Sequence, residues 1–94
     1  MKRVKVPGKN NKHKVLMYAI STCGWCKRAK EFLQGNDVEY EYIDVDLASE
    51  DDRQKIRQDI INRGGRLAYP TIIVDNESLL TGASPEKLKE VLEI

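Results

Sequence analysis

From Lys14 to Ile20 the chain reads KVLMYAI, an apolar run without helical period, with polar residues before it and STCG after it. Such a run predicts a central strand buried on both faces. Between Gly24 and Gly35 the period changes. Cys26, Ala29, Phe32 and Leu33 recur every three or four residues, with Lys27, Arg28, Lys30 and Glu31 filling the other face. This predicts an amphipathic helix whose first turn holds both cysteines. Val38, Tyr40 and Tyr42 then share one parity before Ile43 and Val45 shift the phase, which predicts a second strand over Val38–Val45 with a bulge.

Ser49 followed by Glu50, Asp51 and Asp52 is an N-cap with acids where the helix dipole favours them. The predicted helix buries Ile56, Ile60 and Ile61, and Gly64-Gly65 gives its left-handed exit. After Pro70, Thr71–Val74 is β-branched throughout, and Asp75-Asn76 turns the chain into Glu77–Thr81, a hairpin. Ser84, Pro85 and Glu86 start a last helix that carries Leu88, Val91 and Leu92 on one face. The order strand, helix, strand, helix, strand, strand, helix predicts an α/β fold. It has one right-handed parallel crossover and then an antiparallel hairpin, in a four-stranded mixed sheet flanked by three helices. Val4–Val6 could add an edge strand that Pro7-Gly8 would stop. The expected organisation is a basic extension, residues 1–13, and one domain, residues 14–94.

Composition narrows the class. At 94 residues, 40% hydrophobic and 33% charged, this is an ordinary globular chain with no run of the roughly 18 apolar residues a membrane span needs. The basic N-terminus lacks the apolar core of a secretory signal, so the expected location is the cytoplasm, without membrane attachment. The net charge of +1 hides an asymmetry: residues 1–30 carry nine Lys or Arg and no acid. Aromatic residues are not interleaved with these charges, which argues against nucleic-acid binding and for a solvated tail or edge strand.

The two cysteines, Cys23 and Cys26, would close too small a loop to staple the fold. In a reducing compartment such a pair serves a transient, catalytic disulfide, and Cys-X-X-Cys beside a strand-helix-strand pattern is a thioredoxin-like redox signature. Cys23 lies where strand gives way to helix. There the orphan N–H groups and Lys27, Arg28 and Lys30 favour the thiolate that attacks disulfides. Cys26, one turn later on the buried face, is the resolving thiol. Gly24 lets a substrate backbone approach and Trp25 offers an apolar lid. A zinc site would need two further ligands, for which His13 is the one candidate, and His13 reads as a surface residue between two lysines. Pro70 by itself reads as a trans turn proline.

Together, YAISTCGWC, YPTIIV and LTGASPEKL resemble the glutaredoxin branch of the thioredoxin superfamily, over residues 14–94. The resemblance implies a thioredoxin-like fold and a cis Pro70 against the redox pair. It also implies substrate contacts from Tyr69, Pro70 and Thr71 and from the loop Thr81, Gly82, Ala83 and Ser84. Glutathione-dependent members usually show Cys-Pro-Tyr-Cys, a basic residue three positions before the first cysteine, Thr-Val-Pro, and an acidic pair starting the last helix. Here those places hold Gly24-Trp25, Ile20, Ala68-Tyr69 and Ser84-Pro85. The segment from Gly82 to Glu86 is instead similar to the NrdH-redoxins, which thioredoxin reductase reduces.

The expected function is thus reduction of protein disulfides by a monomeric thiol-disulfide oxidoreductase, through a redox-active disulfide and no bound cofactor. The electron donor is a thioredoxin-reductase-type or other dedicated reductase in preference to glutathione. The alternative implied by the resemblance is an iron-sulfur cluster carrier, for which a non-proline Gly24 removes one obstacle.

Overall fold

The computed structural model describes residues 1–82 and 84–94. Among them lie five strands and three helices: β1 (Val4–Val6), β2 (Val15–Ala19), α1 (Gly24–Gly35), β3 (Tyr40–Asp44), α2 (Glu50–Asn62), β4 (Thr71–Val74), β5 (Ser78–Thr81) and α3 (Pro85–Leu92). The sheet order is β1-β3-β2-β4-β5. The central strand β2 pairs parallel with β3 and antiparallel with β4, and β4 pairs antiparallel with β5.

The pleat sends alternate side chains to opposite faces. Val15, Met17, Ala19, Tyr40, Ile72 and Val74 form one core with Cys26, Ala29 and Leu33 of α1 and Leu88 and Leu92 of α3. Tyr18, Ile43, Val45 and Ile73 form a second core with Ile56 and Ile60 of α2. The expected bulge near Ile43 is absent from β3, because the phase shift has another cause. This strand is covered on both faces, with Tyr40 toward α1 and α3 and Ile43 toward α2, and Val45 already starts a 3-10 turn over Val45–Leu47.

Two further expectations are corrected. The sheet has five strands, not four, because Val4–Val6 pairs antiparallel with β3, Val4 opposite Tyr42 and Val6 opposite Tyr40. Pro7-Gly8 does end this strand, but the chain stays docked: Asn10 donates to the Asp37 carbonyl at 2.9 Å and accepts from the Glu39 N–H at 2.9 Å. Gly8 makes the close passage possible, since a Cβ there would lie 2.5 Å from the Asp37 carbonyl oxygen and 2.6 Å from the Glu39 nitrogen. Charge assists, with Arg3 and Lys5 reaching Glu41 at 3.2 and 3.9 Å. Ile61 is the second correction: it is 53% exposed, while Ile56 and Ile60 are fully buried.

Local signals set the element ends. The Ser49 hydroxyl caps α2 by accepting from the Asp52 N–H, and the Ser84 hydroxyl caps α3 by accepting from the Lys87 N–H. The β4–β5 turn places Asp75 and Asn76 at φ 54° and 58°, the paired positive values of a tight type I′ hairpin.

Candidate active site

At one end of β2 the chain leaves Ala19, makes a short turn in which the Cys23 N–H donates to the Ile20 carbonyl at 3.1 Å, and enters α1. Cys23 is the N-cap, with extended φ of −90° and ψ of 120°. An N-cap is normally a Ser, Thr, Asp or Asn whose oxygen accepts a free backbone N–H of the first turn. Here sulfur takes that place: the Cys23 Sγ accepts the Cys26 N–H at 3.3 Å. Cys23 is half-buried, whereas Cys26 is 1% exposed within the α1 core, and both are free thiols.

The environment splits the two acidities. Burial pushes the Cys23 thiol up, but hydrogen bonds from the Cys26 thiol and from the Cys26 and Trp25 backbone N–H groups, with the positive charge of Lys30, outweigh it and leave Cys23 below the ordinary thiol value. Burial and the hydrogen bond to Cys23 push Cys26 up to about 12. One accessible thiol favours the anion, and its buried neighbour holds the proton.

The turn before Cys23 is clamped from outside. Asp46, on the 3-10 turn after β3, accepts the Ser21 N–H at 2.9 Å and the Ser21 hydroxyl at 2.5 Å. These bonds hold the Asp46 carboxyl below its usual range. A groove of about 270 Å³ opens beside Cys23, lined by Ile20, Ser21, Thr22, Gly24, Lys27 and Lys30. Lys30 is fixed between the Asp44 carboxylate at 3.7 Å and the Tyr42 ring at 3.8 Å. Sequence reading missed Ser21, Asp46 and this groove. The acid 25 residues downstream carries no local mark linking it to the cysteines.

The second predicted element arrives at the same end of the sheet. Tyr18 pairs with Thr71 and Thr71 with Thr81, so Tyr69, Pro70 and Gly82 extend past the strand ends beside the turn that carries Cys23. The Tyr69-Pro70 bond is cis, as the resemblance implied and against the trans reading of the proline alone. The Gly82 N–H donates to the Pro70 carbonyl at 2.8 Å, with Gly82 at φ 90°. Tyr69 and Cys23 pack on the same core. Pro70 and Thr71 are buried, and the Thr71 hydroxyl donates to the Ala68 carbonyl at 2.6 Å. Gly24 has open space around it and Trp25 is 61% exposed, with the Arg28 guanidinium 4.8 Å from its ring centroid. Ser84 is exposed at the start of α3, and Ala83 lies outside the described residues.

His13 is at the other end of the sheet. It precedes β2 while Cys23 follows it, and five strand residues span roughly 17 Å. The expectation of a surface histidine is corrected: Nδ1 lies 2.6 Å from Asp75, Nε2 lies 3.2 Å from Glu93, and the side chain is only 13% exposed. No group of three or more metal-ligating side chains is found among the described residues, and none of their helices is long and apolar enough to cross a membrane.

Comparison with known proteins agrees with this fold. Glutaredoxin 1 of Rickettsia conorii is 31% identical over 64 residues, 68% of this chain and 60% of that relative, so the chain matches less than two thirds of its length. The solved structure of a glutaredoxin from Methanosarcina mazei Go1 has a TM-score of 0.89 at 26% identity, covering 100% of this chain and 90% of that one. The methanoredoxin of Methanosarcina acetivorans has a TM-score of 0.80 at 31% identity, covering 86% of this chain and 85% of that one. Residues 15–79 match the sequence model of the Glutaredoxin family, and with the fold and the helix-capping cysteine pair in agreement, this chain belongs to the glutaredoxin family.

Proposed function

We propose that the chain is a dithiol thiol-disulfide oxidoreductase that reduces protein disulfides, with Cys23 as nucleophile and Cys26 as resolving thiol. One observation carries the assignment: the Cys26 N–H donates to the sulfur of a half-buried Cys23, while Cys26 itself is 1% exposed. The Cys23 thiolate attacks one sulfur of a substrate disulfide, forming a mixed disulfide and releasing the other substrate sulfur as a thiolate. Capping Cys23 removes the anion whose repulsion helps keep Cys26 protonated. Cys26 then gives up its proton, which passes to the departed thiolate, and attacks Cys23. The Cys23–Cys26 disulfide closes and the second substrate sulfur leaves as a thiolate, which takes its proton from solvent. Two electrons have moved from the dithiol to the substrate, and an external reductant returns them.

Trp25 and Tyr69 form the rim against which the substrate backbone lies, with the buried cis Pro70 beside Tyr69 and Gly24 and Gly82 leaving room for it. The donor is a thioredoxin-reductase-type or other dedicated reductase rather than glutathione. Ile20, where glutathione-dependent members carry a basic residue, and Ser84-Pro85, where they carry an acidic pair, support that choice. The protein acts as a monomer in the cytoplasm, where disulfides are transient. The test is trapping. Cys26→Ser should accumulate mixed disulfides with a protein substrate and Cys23→Ser should not, and equal trapping by both would overturn the assignment. Turnover fed by glutathione alone, equal to that with dithiothreitol, would overturn the choice of donor.

A further inference from the structure

The groove beside Cys23 has charge of one sign open to a ligand. Its charged lining residues are Lys27 and Lys30. Lys30 is compensated by Asp44 at 3.7 Å, and both oxygens of the nearby Asp46 are engaged by Ser21. Lys27 is exposed and has no ion-pair partner among the described residues, and the same holds for Arg28, which lies over the exposed Trp25 ring. At the far end of the molecule three cations are paired: Lys12 with Glu93, and Arg3 and Lys5 with Glu41. The first turns of α1 therefore present two uncompensated cations, Lys27 in the groove beside the reactive sulfur and Arg28 next to it over the Trp25 ring. The exposed Trp25 ring beside Arg28 offers an apolar face to a peptide.

We propose that this groove selects disulfides in acidic protein segments, with a substrate Asp or Glu close to the attacked cysteine seated against Lys27 and Arg28. This specificity rests on the disulfide-reductase reading above. Lys27 lines the groove beside Cys23 to which a substrate chain must bring its sulfur, and Arg28 follows it on the same helix. A carboxylate there gains two cations, whereas a Lys or Arg meets like charge at short range. Exposed pairs of this kind are worth a fraction of a kcal/mol to about one each, and they act mostly on encounter and discrimination between partners. Two of them give a preference of about threefold to tenfold, which salt weakens as the Debye length shrinks.

The experiment uses three peptide pairs joined by one disulfide, differing only in whether the flanking residues are Glu, Gln or Lys, reduced by the full chain with dithiothreitol as donor. The expected order of kcat/KM is Glu, then Gln, then Lys, with about threefold to tenfold between the extremes at low salt and convergence at high salt. Lys27→Glu and Arg28→Glu together should reverse the order, while Lys9→Glu at the other end of the sheet should leave it unchanged. Turnover of all three peptides at one rate, or a Glu preference that survives the double reversal, overturns the inference and leaves the reductase reading standing. So does a glutathione-capped neutral peptide that outruns the Glu pair, since the groove would then serve glutathione. Failure to reduce any peptide removes the reductase reading itself.

Discussion

The backbone N–H of Cys26 points at the Cys23 sulfur from 3.3 Å, the contact that an oxygen makes at an ordinary helix N-cap. A thiolate serves as a better acceptor than a thiol, so the helix start itself favours the reactive form. The same fold buries Cys26 and keeps its proton in place. The asymmetry between the cysteines comes from the strand-to-helix junction, with Lys30 as the nearby charge.

The Ser21–Asp46 clamp should matter to that asymmetry. It holds the turn that sets the Cys23 cap from outside α1, on a carboxyl held low chiefly by the Ser21 hydroxyl. Asp46→Ala should raise the pH at which Cys23 becomes reactive and slow disulfide reduction several-fold, with the circular dichroism spectrum unchanged. Unchanged alkylation kinetics would show that the turn needs no clamp.

At the other end of the sheet, His13 and Lys12 join the N-terminal segment to the β4–β5 turn and the C-terminus. The Asp75 carboxyl is held below its ordinary value of 3.8 chiefly by the hydrogen bond with His13, and the Glu93 carboxyl below 4.5 chiefly by that with Lys12. A depressed carboxyl pKa stabilises the folded form at pH above the unfolded value, and the contribution is lost as pH falls through the folded value. Residues 9–14 should therefore keep slow amide exchange at neutral pH and lose protection below the ordinary carboxylate range, before the central strands do. His13→Ala should loosen the same segment already at neutral pH.

Gly8 tests the five-stranded sheet. Gly8→Ala places a methyl group against the Asp37 and Glu39 backbone, and the clash is with main chain that cannot rotate away. Amide exchange should speed up across Val4–Val6 and at Glu39, with β2 and β4 protected as before.

Much of this fold can be read from the sequence because its signals are local. The Ser49 and Ser84 caps, Pro85 at the helix start, the Asp75-Asn76 turn and the period of α1 each act within a few residues. What escapes is set at long range. β1 finds its partner 38 residues away, Val4 opposite Tyr42, and docks only because a glycine fits beneath the Asp37–Glu39 backbone. In the site, the cysteine pair was legible from spacing and the cis proline from family resemblance, while the Asp46 clamp exists only once β3 lies beside β2.

Ile61 shows the limit of pattern reading within one helix. Ile56 and Ile60 are four apart and meet the sheet together, whereas Ile61 is turned about 100° further and faces solvent. Ile56→Ala should cost about 2–5 kcal/mol in denaturant unfolding, and Ile61→Ala well under 1 kcal/mol.

The most direct test of the central claim is the pH dependence of alkylation of the reduced protein, read at each cysteine by mass spectrometry. The account predicts that Cys23 reacts with a midpoint below that of an ordinary thiol, while Cys26 stays unmodified across neutral and moderately alkaline pH. Equal labelling of the two, or a Cys23 midpoint at or above that of a free cysteine, would contradict it.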